Sequence, residues 1–350
     1  MAFIEIDKIK IAGISACVPT HIEENLDLPI FREGEAERVI ASTGIERKRV
    51  VIDNTTTSDL CIKAAITLLD ELSWSAEDVD CLFYVCTNRD YFQPMTSCVI
   101  HGKLGLKEEC FVMDLPCGCP GWLYGLSIIS SFMAQNKLKK GLLLAGDTSS
   151  KMNYEKNKGT RPLFGDAGTV TALLFDDNAK KMNFHFGTNG KSFSEIITTD
   201  GGAKFPFSEA SLKEFEYSDG LRRPIDCALN GMNVFAFSIT DPPKSIKKLI
   251  NHLDISPDSI DYFFVHQANK YIVDKIRKKI NIAPEKTPTS LTNFGNTSSA
   301  SIPLTIVTQC REDVADGIKE NIASAFGTGL MWASAHFFLE NIVCPKLIEY

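Results

Sequence analysis

The chain has 350 residues, 44% of them hydrophobic and 23% charged, with a formal net charge of −7. That is enough to bury a large core, as one big domain or two closely packed halves, and the negative balance argues against nucleic-acid binding as the main activity. Eleven cysteines without framework spacing, and no basic, apolar, small-residue leader at the start, point to reduced thiols in the cytoplasm rather than to secretion.

The first strong pattern in chain order is TSDLCIKAAITLLDEL, Thr57–Leu72, a predicted helix whose Leu60, Ala64, Ile66, Leu68 and Leu69 supply an apolar side. It runs into LSWSAEDVDCLFYVCTN, residues 72–88, which ends in a short apolar run suited to a central strand of a parallel sheet. Next comes DLPCGCPGWLYGLSIISSFM, residues 114–133, with Cys117 and Cys119 ahead of an apolar run. The uncharged stretch from Leu115 to Asn136 is the one membrane candidate. Pro116, Gly118, Pro120, Gly121 and Gly125 break its start, so the usable helix is shorter than the ~20 residues a span needs. A second predicted strand lies in KLKKGLLLAGD, which begins at Lys137.

The second half repeats the first. LDISPDSIDYFFVHQAN, residues 253–269, shares with residues 72–88 the frame Leu, six residues, Val/Ile-Asp, apolar run, Asn, and sets Asp261 181 positions after Asp80. GIKENIASAFG begins at Gly317, 180 positions after Lys137. Strands alternating with helices imply βαβ units, and the matching offsets imply an internally duplicated α/β chain with halves 1–180 and 181–350. The same shift carries Cys119 onto Ser299, inside NFGNTSSASIP. Two small-residue turns, each opening an apolar helical segment, are then expected to face each other where the halves meet.

Cys119 has three readings at this stage: a nucleophile, half of a metal or disulfide pair, or a buried structural thiol. Pro120 fits the first helical position, and the unpaired N–H groups and dipole of that turn are expected to lower a thiol pKa from its usual ~8.5. The near-continuous apolar helix behind it would hold the residue rigidly. Cys-x-Cys without a second pair or a histidine cluster is a poor metal site, and a disulfide across one residue would be strained. Cys117 is read as structural.

A nucleophilic cysteine needs a histidine and a carbonyl-polarising group. His21, His101, His185, His252 and His336 have no distinguishing context, whereas His266 in YFFVHQAN directly follows an apolar strand, where a parallel sheet presents functional groups. Asn296 lies in the turn opposite Cys119, and AFGTGLMW (residues 325–332) is a strand running into a glycine turn able to aim N–H groups at an oxyanion. Gly327 and Gly329 lack the third glycine of a dinucleotide fingerprint, and no G-x-S-x-G elbow is present.

Cys119 in DLPCGCPGW, His266 in VHQAN and Asn296 in GNTSSASIP, with LFGDAGTVTALLF, AFGTGLMWASA and the opening KIAGISACVP, resemble the β-ketoacyl-acyl carrier protein synthase III family of the thiolase superfamily. The resemblance implies a five-layered αβαβα fold, usually as a homodimer. It implies that Cys119 takes an acyl group from a thioester donor. His266 and Asn296 would then stabilise the enolate left when a malonyl-type thioester loses carbon dioxide, and that carbanion would attack the acyl-enzyme. Backbone N–H groups of Cys119 and Thr328 would hold the oxyanion. No metal or cofactor is implied; coenzyme A or acyl-carrier-protein thioesters are the substrates, and an acyl carrier protein is the expected partner.

Several positions depart from the family pattern. Arg38 and Ser42 stand where a tryptophan and an arginine usually contact coenzyme A, and Lys158 replaces a common arginine. In the loop NRDYFQPMTS, which carries Tyr91 and Phe92 and which the family uses to close the partner subunit's acyl pocket, Gln93 replaces a bulky apolar residue. Thr328 replaces a common glycine. These changes point to a carrier-protein donor and a specialised acyl pathway. In NKYIVDKIRKKI, Asn269 opens a helix with Ile272, Ile276 and Ile280 on one stripe and Lys275, Lys278 and Lys279 on another, a basic patch suited to an acidic carrier or to a plain solvated face. The competing readings are acyl transfer to a hydroxyl or amine without decarboxylation, and an idle thiolase-like subunit.

Overall fold

The structure is a computed structural model that describes residues 2–217 and 220–350. The elements that build the site are, in the first half, β1 (Ile9–Val18), α1 (Glu35–Thr43), α2 (Thr57–Leu72), β2 (Cys81–Val85), β3 (Phe111–Leu115), α3 (Gly121–Asn136), β4 (Lys140–Thr148) and β5 (Asp166–Phe175). In the second half they are β6 (Met182–Thr188), α4 (Gly231–Ser238), α5 (Asp241–Leu253), β7 (Tyr262–Val265), α6 (Lys270–Ile280), α7 (Ser301–Gln309), β8 (Ile318–Gly327) and β9 (Met331–Val343).

The same ladder is built twice. β2 runs parallel to β3 and β4, β4 antiparallel to β5, and β5 antiparallel to β1. In the second half β7 runs parallel to β8, β8 antiparallel to β9, and β9 antiparallel to β6. β1 and β9 pair across the halves, Leu339 with Ile11. The repeated aspartates have a common task. Asp80 Oδ2 accepts the N–H groups of Lys139 and Lys140 at 2.7 and 3.1 Å, and Asp261 Oδ2 accepts that of Glu320 at 2.7 Å. Each therefore satisfies backbone donors where the neighbouring parallel strand begins.

Three apolar clusters define the layers. The central one holds Trp122, Leu126 and Ile129 of α3 together with Ile302, Leu304 and Ile306 of α7, enclosed by strands of both ladders. α2 covers the outer face of the first ladder with Leu60, Cys61, Ala64, Leu68 and Leu69. α5 and α6 cover the outer face of the second with Ile246, Ile250, Ile272 and Ile276. Helix, sheet, central helices, sheet and helix give the five-layered αβαβα thiolase-like α/β arrangement. Ile66, expected on the apolar side of α2, is 46% exposed, because it shares the opposite face with Lys63 and Asp70, three and four residues away. The α2 start is fixed by Thr56, whose N–H donates to Asp59 Oδ2 at 3.0 Å. Among the described residues no helix is long and apolar enough to cross a membrane, and all eleven cysteines are free.

Candidate active site

The two central helices begin face to face. A side chain added at Gly121, the first residue of α3, would lie 3.4 Å from Ser299 Cβ, just ahead of α7. Pro120 is the cap residue rather than the first helical one, and its carbonyl accepts from Leu123 and Tyr124 at 3.1 and 3.2 Å. Cys119 precedes it and lines a cavity of about 550 Å³. Gly327, at the end of β8, passes so close that a Cβ there would meet Cys119 Cβ at 2.9 Å and Sγ at 3.2 Å.

His266 and Asn296 line the same cavity. His266 follows β7, its N–H donating to the Ser324 carbonyl at 2.8 Å, and its Nδ1 lies 2.7 Å from Ser301 Oγ. Phe326 packs edge-on to the ring at 5.4 Å. Burial pushes the imidazole pKa down to about 3, so it is neutral at physiological pH and able to act as a hydrogen-bond donor rather than as an acid. Asn296 is held through its backbone by Leu163 O at 2.8 Å and Gly165 N at 3.1 Å. Its Oδ1 accepts the Ser298 N–H at 2.9 Å, which leaves the side-chain amide N–H groups as donors. The preceding Gly295 has φ +61°, and a Cβ there would lie 2.6 Å from Leu163 O, so the turn requires glycine.

The resting Cys119 is not the thiolate expected from its helix position. Burial pushes its thiol up to about 12, opposed by the Ser298 hydroxyl and reinforced by Asp147. Ser298 Oγ lies 3.9 Å from Cys119 Sγ. Burial outweighs the dipole because the thiol is closed in by both halves at once, whereas the helix supplies only partial charges. Thr328 lines the cavity, and the positive φ of the turn falls on Gly329 at +138° instead, so threonine is tolerated without strain. The structural reading of Cys117 agrees with its packing against the central core and with a thiol raised to about 12 by burial.

Of the other sequence candidates, Asn269 lines the cavity and caps α6, accepting the Ile272 N–H at 2.8 Å. Arg38 and Ser42 are exposed on α1 outside the cavity. Lys158 is paired with Glu35 at 2.5 Å, though its neighbour Gly159 is in the wall. Tyr91, Phe92 and Gln93 face solvent away from this chain's own cavity, with Phe92 75% exposed. On α6, Lys278 and Lys279 are exposed and Lys275 is half-buried over the Tyr271 ring at 5.1 Å. Much of the wall was not anticipated: Ile196, Ile197, Ile225, Leu229 and Phe235 come from the segment between β6 and α5. That segment mixes two-residue strands with a short helix and carries no periodic signal.

Comparison with known proteins places the whole chain in a family. The models of 3-oxoacyl-acyl-carrier-protein synthase III and of its C-terminal part match residues 113–190 and 250–338. The chain is 32% identical to β-ketoacyl-acyl-carrier-protein synthase III of Streptococcus mutans and 31% identical to that of Streptococcus agalactiae, each match covering 93% of this chain and 97% of the relative. The crystal structure of a 3-oxoacyl-acyl-carrier-protein synthase from Burkholderia xenovorans superposes with a TM-score of 0.94 at 30% identity, covering 100% of this chain and 99% of that one. Fold, helix-start cysteine and sequence likeness converge: the chain belongs to the β-ketoacyl-acyl-carrier-protein synthase III family, acyltransferases of the thiolase superfamily that carry out Claisen condensation.

Proposed function

We propose that Cys119 accepts an acyl group from a thioester and that the protein condenses it with a malonyl-type thioester to give a β-ketoacyl thioester. The cysteine sulfur attacks the donor carbonyl and expels the carrier thiol, while the N–H groups of Cys119 and Thr328 hold the tetrahedral oxyanion. The extender then loses carbon dioxide. His266 and Asn296 donate hydrogen bonds to the enolate oxygen, and the carbanion attacks the acyl-cysteine and releases the sulfur.

The observation that carries this reading is the pairing of two neutral donors in Cys119's cavity, each anchored by its other polar atom: His266 through Ser301 and Asn296 through Ser298. Such a pair stabilises a developing enolate without protonating it early. It also favours condensation over simple transfer to a hydroxyl or amine, which has no enolate to hold. We read the halves as 1–180 and 181–350, with the nucleophile from one and its two donors from the other. The starter carrier is an acyl carrier protein or coenzyme A, and the site is cytoplasmic, in keeping with eleven free thiols. β3 is a sheet edge, and its Phe111 and Met113 stand 38% and 36% exposed; this apolar edge supports a homodimer.

Intact-protein mass spectrometry with a panel of acyl-coenzyme A and acyl-carrier thioesters tests the loading step, with Cys119→Ser as control. Carbon dioxide release from malonyl thioesters tests the second. Loading without release by any extender would favour a non-decarboxylating transferase, and Asn296→Ala should lose release by about 100-fold while still loading.

A further inference from the structure

The turn that carries Asn296 is braced from outside the cavity. Two backbone bonds tie it to residues 163–165: the Asn296 N–H donates to the Leu163 carbonyl at 2.8 Å, and the Gly165 N–H donates to the Asn296 carbonyl at 3.1 Å. Residues 161–165 belong to no helix or strand, so they have no ladder of their own to fix them. A loosely held partner cannot place a side-chain donor to within the fraction of an ångström that catalysis needs.

A buried charge holds that segment. Arg47–Arg49 pairs antiparallel with Ile22–Glu24, which sets Lys48 opposite Glu23. The neighbouring pair, Arg47 with Glu24, stays partly in solvent, whereas Lys48 is fully buried, a place lysine almost never takes without partners. Its ammonium donates to the Glu23 carboxylate and, at 2.9 Å, to the Arg161 carbonyl. The other oxygen of Glu23 accepts from the Arg161 guanidinium. Lysine and glutamate together therefore grip Arg161 by its backbone and its side chain. Beside it, the buried Asn25 amide donates to the carbonyls of Pro162 and Ile45, each at 2.9 Å. The Lys48 stem also lies against the turn itself, since a Cβ at Gly295 would meet its Cγ at 3.2 Å.

Desolvation offsets most of the attraction in an ion pair this deep, so stability alone does not account for it. We propose that the Lys48–Glu23–Arg161 network is a positioning device for Asn296, fixing where its amide donors stand in the cavity. None of the three residues lines the cavity, so the network acts through residues 161–165 and the turn. The inference rests on the reading of Asn296 as a donor to the enolate. Cys119 is held separately, by the start of α3 and by Gly327, so acyl loading does not depend on the network.

Lys48→Met removes the charge and both bonds while keeping an unbranched apolar stem. Malonyl-thioester decarboxylation should fall about tenfold in kcat, with Cys119 loading within about twofold of wild type. Added to Asn296→Ala, the same change should lower decarboxylation by less than about twofold further, because a positioning effect vanishes with the group positioned. Hydrogen exchange read by mass spectrometry should rise about tenfold in the peptides carrying the Gly165 and Asn296 amides and stay unchanged at the start of α3.

Leu163 and Phe164 are in the cavity wall, so a network that only supports the wall predicts parallel losses in loading and decarboxylation. Parallel losses, a loss that persists in full beside Asn296→Ala, or unchanged exchange at Gly165 and Asn296 each overturn the proposal. If Lys48→Met does not fold by circular dichroism, Arg161→Met, at a partly exposed side chain, carries the same comparison with an expected loss of about fivefold. Should Asn296→Ala decarboxylate as fast as wild type, the enolate role of Asn296 fails. Exchange then decides the network by itself, rising if it holds the turn and unchanged if it does not.

Discussion

His266 Nδ1 and the Ser301 hydroxyl lie 2.7 Å apart, so the first residue of α7 holds the imidazole from behind. With the hydroxyl as donor, Nδ1 is the acceptor and Nε2 carries the proton, the tautomer that can donate toward the cavity. Ser301→Ala leaves a buried ring nitrogen without its partner, at about 1–3 kcal/mol. The expected result is a fall of about tenfold in malonyl-thioester decarboxylation, with Cys119 loading unchanged. Equal losses in both steps would show that Ser301 supports the fold rather than the histidine.

The low imidazole pKa has a stability consequence. In the unfolded chain His266 takes up a proton below about pH 6.5, whereas the folded site resists protonation down to about 3. Between those values unfolding binds a proton, so stability falls as the pH drops. For this one group the loss from pH 7 to pH 5 is about 2 kcal/mol. Urea unfolding of wild type and His266→Asn at the two pH values should show a shallower acid loss in the variant by about that amount; parallel losses would refute a neutral buried His266.

The proposed trio was legible because each member stands at an element boundary marked by a short motif. Cys119 lies before a proline and a buried helix, His266 after an apolar strand, and Asn296 between a glycine and small residues. The protonation state of Cys119 was misread for a definite reason. The helix start is local, but the burial that overrides it arises only when both halves close on the sulfur. Asp147 ends an apolar run in the sequence, but its acceptance of the Thr87 N–H depends on β2 and β4 lying side by side. Ser298 was passed over for its neighbour Ser299, which packs on Gly121 instead, because a one-residue difference in a turn is set by backbone angles that composition does not reveal.

Gly327 is a steric test of the nucleophile's position. A methyl group there would stand 2.9 Å from Cys119 Cβ and 3.2 Å from Sγ, and the glycine is not one of those with positive φ. Gly327→Ala therefore acts by crowding rather than by backbone strain, at about 1–3 kcal/mol. Loading of Cys119 from a short acyl thioester should slow by about tenfold, and the melting temperature should fall. An unchanged loading rate would mean that the cysteine has room to move.

The basic stripe on α6 separates two kinds of donor. Lys279 Nζ donates to the Ile239 carbonyl at 2.7 Å, and Lys275 lies along the Tyr271 ring, so both side chains also have structural contacts. Lys278 is exposed on the helix whose first turn, at Asn269 and Ile272, lines the cavity. A charge in that place steers an acidic carrier and contributes mainly to the rate of encounter. Lys278→Glu should lower kcat/KM for carrier-bound substrate by about threefold to tenfold at low salt, with the deficit shrinking as salt screens it. The corresponding coenzyme A thioester, small and itself anionic, should be less affected. Equal losses for the two donors, or a deficit indifferent to salt, would remove α6 as the carrier's landing surface.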